Sequence, residues 1–237
     1  MKYVKSEKYN DAKFLNRIMG PNPIKLTEEL MQNNEIAKGS NVLDLGSGMG
    51  VSSVFLANEY GFLVTACDLW SEAQENQMFF DEVVKKGSVK AVKADALALP
   101  FENECFDAVV SVDSYNYFGR NDKYLDEHLM PYVKKDGLVY ISVTGMNKDL
   151  HDNLPDELLL SWSTEQLDYI HDMDYYKSIM EKSKSAKIVD IKVMMSNKEV
   201  WEDWLKMDNE YAKNDEKSIR AGALKYLNFI KIVLQKK

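Results

Sequence analysis

A glycine-rich segment that contains an acidic residue carries the clearest chemistry in this sequence. It reads VLDLGSGMG at positions 42–50. Glycine is needed where a backbone bends sharply and approaches a ligand closely, and a helix that begins there offers unpaired N–H groups. The spacing GxGxG differs from the GxGxxG of dinucleotide sites, and Asp44 would repel a pyrophosphate. The segment therefore favours a ligand with an ammonium group over NAD.

Three further acidic residues follow apolar runs that are typical of strands. Asp68 closes FLVTACD at positions 62–68, Asp95 lies in KADALALPF at 93–101, and Asp113 follows DAVVSV at 107–112. Each acid falls at the carboxyl end of a predicted strand, which is where open α/β sheets bind their ligands. We therefore expect these residues and the glycine segment to form one site.

A polar and aromatic cluster, DSYNYF, occupies positions 113–118. Tyr115, Asn116 and Tyr117 are candidate substrate-binding residues because their polar groups can orient an acceptor. Tyr117 is also a weak catalytic candidate. Packing of Tyr115 and Tyr117 in the cavity wall is an equally good interpretation.

Residues from the second half of the chain are weaker candidates. His151 and His171 can each take a proton from an acceptor, although an isolated histidine is usually not catalytic. Trp201 is a candidate substrate contact, but its spacing of three residues from Trp204 favours packing in the core or in a lid.

Hydrophobic periodicity predicts the elements that must position these residues. Strands are expected at 41–45, 62–67, 89–93, 107–112, 138–143, 188–194 and 227–234, and helices at 24–34, 49–60, 71–86, 121–134, 163–183 and 198–222. Residues 5–19 are expected to form a helix or arm. Alternation of strands and helices at this spacing predicts a parallel sheet with helices on both faces.

The segment DLGSGMG resembles motif I of the class I S-adenosylmethionine-dependent methyltransferases. The finer resemblance is to a small-molecule branch related to the cyclopropane-fatty-acid-synthase-like, quinone-biosynthesis and sarcosine methyltransferases. It implies an α/β, Rossmann-like, seven-stranded and mostly parallel sheet whose last strand is antiparallel. One domain over residues 1–237 is then expected, with a helical cap (1–39), a cofactor-binding core (40–144), and a substrate-covering helical insertion with two final strands (145–237).

The resemblance also implies roles for individual residues. Asp68 would bond the ribose hydroxyls, Asp95 and Ala96 would hold the adenine, and Gly20 would close over the methionine end. The full set implied to bind S-adenosyl-L-methionine, and its product S-adenosyl-L-homocysteine, is Gly20, Asp44, Gly46, Ser47, Gly48, Gly50, Asp68, Leu69, Trp70, Asp95, Ala96, Ser111, Val112 and Asp113. No metal site is expected.

Departures from related families limit what the resemblance implies about the acceptor. The sequence has DSYN after the fourth strand, where methylases of exocyclic amines carry (D/N)PP(Y/F). The histidine–tyrosine pair of the phosphoethanolamine relatives is also absent, because Asn116-Tyr117 and Phe14-Leu15 stand at those positions. The expected reaction is methyl transfer to an unspecified small molecule. A non-catalytic S-adenosylmethionine-binding or regulatory domain, and less favourably an NAD-dependent oxidoreductase, remain as alternatives.

The net charge and the composition limit which partners are possible. The formal charge is −8, which disfavours nucleic acid as a partner. The polar start predicts no secretory signal, and no run approaches the length of a membrane span. Cys67 and Cys105 form no CxxC pair, which is typical of a cytoplasmic protein. The oligomeric state is left open.

Overall fold

One continuous sheet organises the chain. The computed structural model describes residues 3–237. Its strands are β1 (Asn41–Leu45), β2 (Leu63–Asp68), β3 (Val89–Lys93), β4 (Phe106–Val112), β5 (Val133–Met146), β6 (His171–Asp172), β7 (Ala186–Val193) and β8 (Leu227–Lys236). The strand order is β3-β2-β1-β4-β5-β8-β7, and β6 pairs with β5 beyond this path.

Helices connect and cover the strands. The α-helices are α1 (Ala12–Leu15), α2 (Pro23–Leu30), α3 (Val51–Tyr60), α4 (Ala73–Val83), α5 (Tyr115–Phe118), α6 (Asp156–Leu159), α7 (Thr164–Leu167), α8 (Met173–Met180), α9 (Asn197–Trp204) and α10 (Glu210–Arg220). Short 3₁₀ turns lie at Ser6–Tyr9, Met130–Tyr132 and Ala223–Lys225, and a π-helical turn lies at Leu125–Leu129.

The central strands are buried on both faces, as their apolar runs predict. The apolar side chains of β1 belong to two hydrophobic clusters, one on each face of the sheet. Val42 packs in the first cluster, and Leu43 and Leu45 pack in the second. The first cluster includes Phe55 of α3 and the second includes Tyr176 of α8. The sheet therefore has a core on each face, which fixes its strands relative to one another.

Strand β8 confirms the predicted antiparallel insertion. It pairs antiparallel with β5 from Leu138↔Gln235 to Met146↔Leu227, and antiparallel with β7 on its other side. The pairs of β1 with β2 and β4, of β2 with β3, and of β4 with β5 are parallel. This mostly parallel sheet with an antiparallel strand beside the fifth is the predicted Rossmann-like arrangement.

The helix predicted for residues 121–134 is wrong. A π-helical turn ends at Leu129, a 3₁₀ turn follows, and β5 begins at Val133. Pro131 lacks an N–H group and its ring clashes with the preceding helical turn, so a regular helix cannot continue through it. Asp136, with φ of 62°, then lets the chain bend within the first part of β5.

Three other predicted helices are broken by side-chain caps. Asp11 accepts hydrogen bonds at the start of α1, Asp172 at the start of α8, and Asn209 at the start of α10. Each cap satisfies N–H groups that a new helix leaves unpaired, so a new helix begins there. Residues 5–19, 163–183 and 198–222 are therefore divided where the sequence predicts continuous helices.

Asp44 of β1 is fully buried and supports the helix that follows the glycine segment. Its Oδ2 accepts hydrogen bonds from the hydroxyls of Ser52 and Ser53, both at 2.6 Å. Burial raises the pKa of Asp44 to about 6, while the two serine hydroxyls oppose that shift. The carboxyl therefore ties β1 to the first turn of α3.

No helix within residues 3–237 combines the length and the apolar composition needed to cross a membrane.

Replacing Gly50 by alanine should destabilise the fold strongly. Gly50 has φ of 84°, and an added Cβ would lie 2.3 Å from the buried ring of Phe80. The left-handed backbone alone costs an L-residue roughly 1–2 kcal/mol, and overpacking adds about 1–3 kcal/mol. The matched control is Gly87→Ala, because Gly87 has φ of 83° and nothing lies within 4 Å of an added Cβ. Urea unfolding should show the larger loss for Gly50→Ala, and equal losses would contradict the close approach of Phe80 to Gly50.

Asp44→Asn should flatten the pH dependence of stability between pH 4 and 6. The ordinary pKa of 3.8 applies to the unfolded chain, and burial raises the folded value to about 6. The folded state therefore binds more protons in this window, so wild-type stability falls as pH rises, by up to about 1.4 kcal/mol per pH unit from this group. The free energies of unfolding of wild type and variant, measured from pH 4 to 7, give the difference. A difference that does not change with pH would contradict this assignment.

Candidate functional site

A cavity of about 670 Å³ opens at the carboxyl ends of β1, β2, β3 and β4. Residues 17–23, which precede the sheet, form part of its wall. The predicted cofactor residues that line this cavity are Gly20, Gly46, Ser47, Gly48, Asp68, Leu69, Trp70, Asp95, Ala96, Val112 and Asp113. The structure therefore brings most of the predicted set to one place, although the residues come from separate strands and from the N-terminal segment.

The glycine turn uses its own N–H groups inside the protein. The N–H groups of Gly46 and Ser47 donate to the carbonyl oxygen of Cys67 at 2.8 and 3.1 Å. The N–H of Gly48 donates to Asp68 Oδ2 at 2.9 Å. Gly46 and Gly48 have φ of 75° and 54°, which places both in the left-handed region. None of these three N–H groups is free to bind a phosphate.

Asp68 holds two segments of the wall at once. Its Oδ2 accepts from the glycine turn, and its Oδ1 accepts from the N–H groups of Trp70 and Ser71 at 2.9 and 2.8 Å. A carboxylate offers about four lone-pair sites, so Asp68 retains acceptor capacity toward the cavity. Asp95 is similar, because its Oδ1 accepts from the N–H of Leu97 at 2.9 Å.

Asp44, Gly50 and Ser111 do not line the cavity. Asp44 lies behind Ser52, which is itself part of the wall. An added Cβ on Gly50 would meet Phe80, and the hydroxyl of Ser111 lies 2.9 Å from the hydroxyl of Ser114. The prediction that Asp44 stands at the mouth of the site is therefore wrong, because its carboxyl is buried against α3.

The N-terminal segment contributes a residue that the sequence analysis did not identify. Arg17 lines the cavity, and its Nε donates to the carbonyl oxygen of Met49 at 3.0 Å. Another guanidinium nitrogen donates to Asn76 Oδ1 at 2.7 Å, and Asn76 Nδ2 donates to the carbonyl oxygen of Gly48 at 2.9 Å. Arg17 therefore links the segment before the sheet to the glycine turn.

Asp113 stands where β4 ends. Its φ of 53° is unusual for a residue with a side chain. Its Oδ1 accepts from the hydroxyl of Thr144 at 2.5 Å, and its Oδ2 lies near Gly20, since an added Cβ there would be 3.2 Å away. Burial raises the pKa of Asp113 to about 7, with a contribution from the charge of Asp215.

The three predicted substrate residues of α5 have different surroundings. Tyr117 lines the cavity, is 67% exposed, and packs against Tyr169 with ring centroids 5.5 Å apart. Tyr115 and Asn116 are buried outside the cavity wall, and Tyr115 packs edge-on against Tyr124. The structure thus packs Tyr115 in the hydrophobic core and not in the cavity wall. It adds Tyr169 to that wall, which no short motif signals.

The predicted histidines and Trp201 do not line the cavity. His151 Nδ1 lies 2.6 Å from Asp149 Oδ1, and His171 stacks on Tyr175 with ring centroids 3.6 Å apart. Burial lowers the pKa of His171. Trp201 is buried in the core. Nothing in this geometry brings these three residues to the reacting centre.

Trp162 and Trp204 hold a partly buried carboxylate whose charge acts on Asp113. Their indole N–H groups both donate to Asp215, at 2.9 Å each. Burial raises the pKa of Asp215, while the two indole hydrogen bonds oppose that shift. The tryptophans therefore fix α10 against the preceding loop.

The comparisons with known proteins agree with this architecture. Residues 42–137 match the family model described as Methyltransferase domain. A sarcosine/dimethylglycine N-methyltransferase from Aphanothece halophytica is 27% identical over 146 residues, which cover 61% of this chain and 51% of that protein. The O-methyltransferase resE from Aspergillus sclerotiorum is 31% identical over 91 residues, which cover 38% of this chain and 34% of that protein. The chain thus spans between a third and about half of the length of these relatives.

A solved structure shares the fold over the whole chain. Phosphoethanolamine N-methyltransferase 2 of Haemonchus contortus, determined with S-adenosyl-L-methionine, aligns with a TM-score of 0.72 and 19% identity. The alignment covers 100% of this chain and 60% of that one. Residues 42–137 therefore match a methyltransferase domain, and the chain as a whole shares the fold of this methyltransferase structure.

Proposed function

We propose that this protein binds S-adenosyl-L-methionine and transfers its methyl group to a small-molecule acceptor, leaving S-adenosyl-L-homocysteine. The observation that carries this proposal is the joint anchoring of the glycine turn and the segment after β2 by Asp68. This arrangement presents a carboxylate, two left-handed glycines and the ends of four strands to one cavity.

The cavity wall fits the three parts of this ligand. Asp68 has acceptor capacity for the ribose hydroxyls, and Asp95 with Ala96 would hold the adenine. Trp70 is 83% exposed at the rim, so its ring is free to cover the base. The turn around Gly46 to Gly48, together with Gly20, would hold the amino acid end. Ser47 supports this placement, since its buried hydroxyl has no partner among the described residues.

A dinucleotide fits this cavity less well, because the N–H groups of the glycine turn are already engaged. Pyrophosphate binding relies on N–H groups aimed at the ligand from a glycine turn. Here the N–H groups of Gly46, Ser47 and Gly48 are already bonded to Cys67 and Asp68. The engaged N–H groups of the turn therefore favour S-adenosylmethionine over NAD, whereas the buried carboxyl of Asp44 does not face the ligand.

The bound cofactor supplies a methyl group on a positively charged sulfur, so the protein's own task is alignment. Holding two reactants in line lowers the activation free energy by several kcal/mol, and by about 7–11 kcal/mol in the most favourable cases. The strand ends and the linked segment that includes Arg17 form the wall against which the two reactants would be held. Tyr117 and Tyr169 line the side from which an acceptor would enter.

The acceptor is proposed to be a small molecule. The cavity volume of about 670 Å³ lies within the range of roughly 300–1,000 Å³ that is usual for small ligands. The named activities of the relatives, an N-methyltransferase and an O-methyltransferase, support this class. We further propose that nucleic acid is not a partner, given the charge of −8, and that the unpaired thiols of Cys67 and Cys105 reflect a cytoplasmic protein.

Asp68→Ala should reduce binding of S-adenosylhomocysteine by about 100-fold or more. It removes hydrogen bonds to the ligand, each worth about 1.5–3 kcal/mol when one partner is charged, and it frees the N–H of Gly48. Calorimetric titration with S-adenosylmethionine, S-adenosylhomocysteine and NAD measures this loss, and wild type should bind the first two in the micromolar range.

Asp81→Ala is the matched control, because Asp81 is an exposed carboxylate that bonds only Gln77 within α4. It should bind S-adenosylhomocysteine like wild type. Binding of NAD alone by the wild type would contradict the proposal. Release of S-adenosylhomocysteine during incubation with candidate acceptors separates an enzyme from a non-catalytic binding domain.

A further inference from the structure

The charged residues of the cavity wall are mostly acidic. Within residues 3–237, the charged side chains that line it are Arg17, Asp68, Asp95 and Asp113. Arg17 is held at the glycine turn by Met49 and Asn76 and stacks over the ring of Phe79, so its guanidinium is already engaged. Three carboxylates and one engaged guanidinium make this cavity unfavourable for an anionic acceptor.

Asp113 differs from the other two acids in its place, because it follows β4 and lines the cavity together with Tyr117. Asp68 and Asp95 accept backbone N–H groups that shape the wall. Asp113 Oδ1 accepts from the hydroxyl of Thr144, and a backbone hydrogen bond from Thr144 also lowers the pKa of this carboxyl. A carboxylate offers about four lone-pair sites, so acceptor capacity remains at Oδ2. That oxygen faces Gly20 in the cavity wall. A left-handed backbone at a non-glycine residue costs free energy and is found most often at functional positions.

The groups around Asp113 increase its attraction for a cation. Asp215 on α10 is close enough to raise the pKa of Asp113, and both acids raise the pKa of Tyr117. Tyr176 on α8 also faces this carboxyl. The nearby cation, Arg120, is paired with Asp168 at 2.9 Å and stacks over Tyr169 at 4.0 Å. Neither acid therefore has a described cationic partner.

We propose that the acceptor carries a positively charged ammonium group, and that Asp113 is the residue that selects it. The inference rests on the proposed methyltransferase function and names the substrate class of the same cavity. Asp113 Oδ2 would pair with the ammonium group, while the exposed ring of Tyr117 supplies an aromatic face that attracts cations. The carboxylate of Asp215 on α10 adds to the negative potential at Asp113.

The same residue can prepare a protonated amine for methylation. An ammonium nitrogen has no lone pair, so it must lose a proton before it can accept a methyl group. That N–H bond breaks, its electron pair stays on nitrogen, and the proton forms an O–H bond with Asp113 Oδ2 before release to solvent. A carboxyl with a pKa of about 7 suits proton transfer near neutral pH.

The test uses two probes of the same shape that differ in charge. Choline carries a quaternary ammonium group, and 3,3-dimethylbutan-1-ol has carbon in place of that nitrogen. Each is titrated calorimetrically into protein saturated with S-adenosylhomocysteine at pH 8. Wild type should bind choline at least tenfold more tightly than the alcohol. Choline affinity should rise as pH rises through about 7, because Asp113 ionises there and the probe does not titrate.

Asp113→Asn should abolish the preference for choline over the alcohol. Because Asp113 Oδ2 faces Gly20, which is proposed to hold the amino acid end of the cofactor, binding of S-adenosylhomocysteine by this variant is titrated in parallel. Asparagine tolerates the left-handed backbone, and its oxygen can still accept from Thr144. Asp136→Asn is the matched control, since Asp136 also has a positive φ, of 62°, but lies outside the cavity wall. This control should keep the preference.

Three results would overturn the proposal. Equal binding of the two probes by wild type, including no binding of either, would show that the cavity does not select charge. A preference retained by Asp113→Asn would assign the selection to another residue. Loss of S-adenosylhomocysteine binding in that variant would place Asp113 on the cofactor. Failure of wild type to bind S-adenosylhomocysteine would instead refute the proposed function itself.

Discussion

The contact between the glycine turn and the end of β2 is the interaction on which the site depends. The carbonyl oxygen of Cys67 and the carboxylate of Asp68 together accept three consecutive N–H groups of the turn. Parallel pairing places Leu45 level with Cys67, so the turn after β1 begins where β2 ends. One carboxylate therefore shapes the turn and also faces the cavity, which explains why an acid is needed at this point for the local fold as well as for a ligand.

The sequence predicts that Asp68 and Asp95 lie in one cavity wall, because the relevant signals are local. Asp68 and Asp95 each follow an apolar run, and the ends of parallel strands meet at one edge. The same reasoning misplaces Asp44. Its position before the glycines resembles a ligand contact, but only the packing of α3 against β1 shows that Ser52 and Ser53 cover it.

The surroundings of Asp113 and Asp215 are less predictable because their contacts are distant in sequence. Thr144 meets Asp113 across 31 residues, and Trp162 meets Asp215 across 53. No motif links such pairs, and propensity favours unbroken helices where Asp172 and Asn209 begin new ones. Pro131 is a partial exception, since its chemistry signals a helix end that the hydrophobic periodicity hides.

The position of β8 in the sheet has a consequence for biosynthesis. β8 separates β5 from β7, so β7 reaches the sheet only through pairs such as Ile191↔Ile232. A ribosome makes β7 and the α9–α10 region before the strand that anchors them. The nascent chain can therefore assemble the parallel half around β1 early, while β7 waits for residues 227–236. The cavity wall contributed by the ends of β1 to β4 can thus form during translation before β7 joins the sheet.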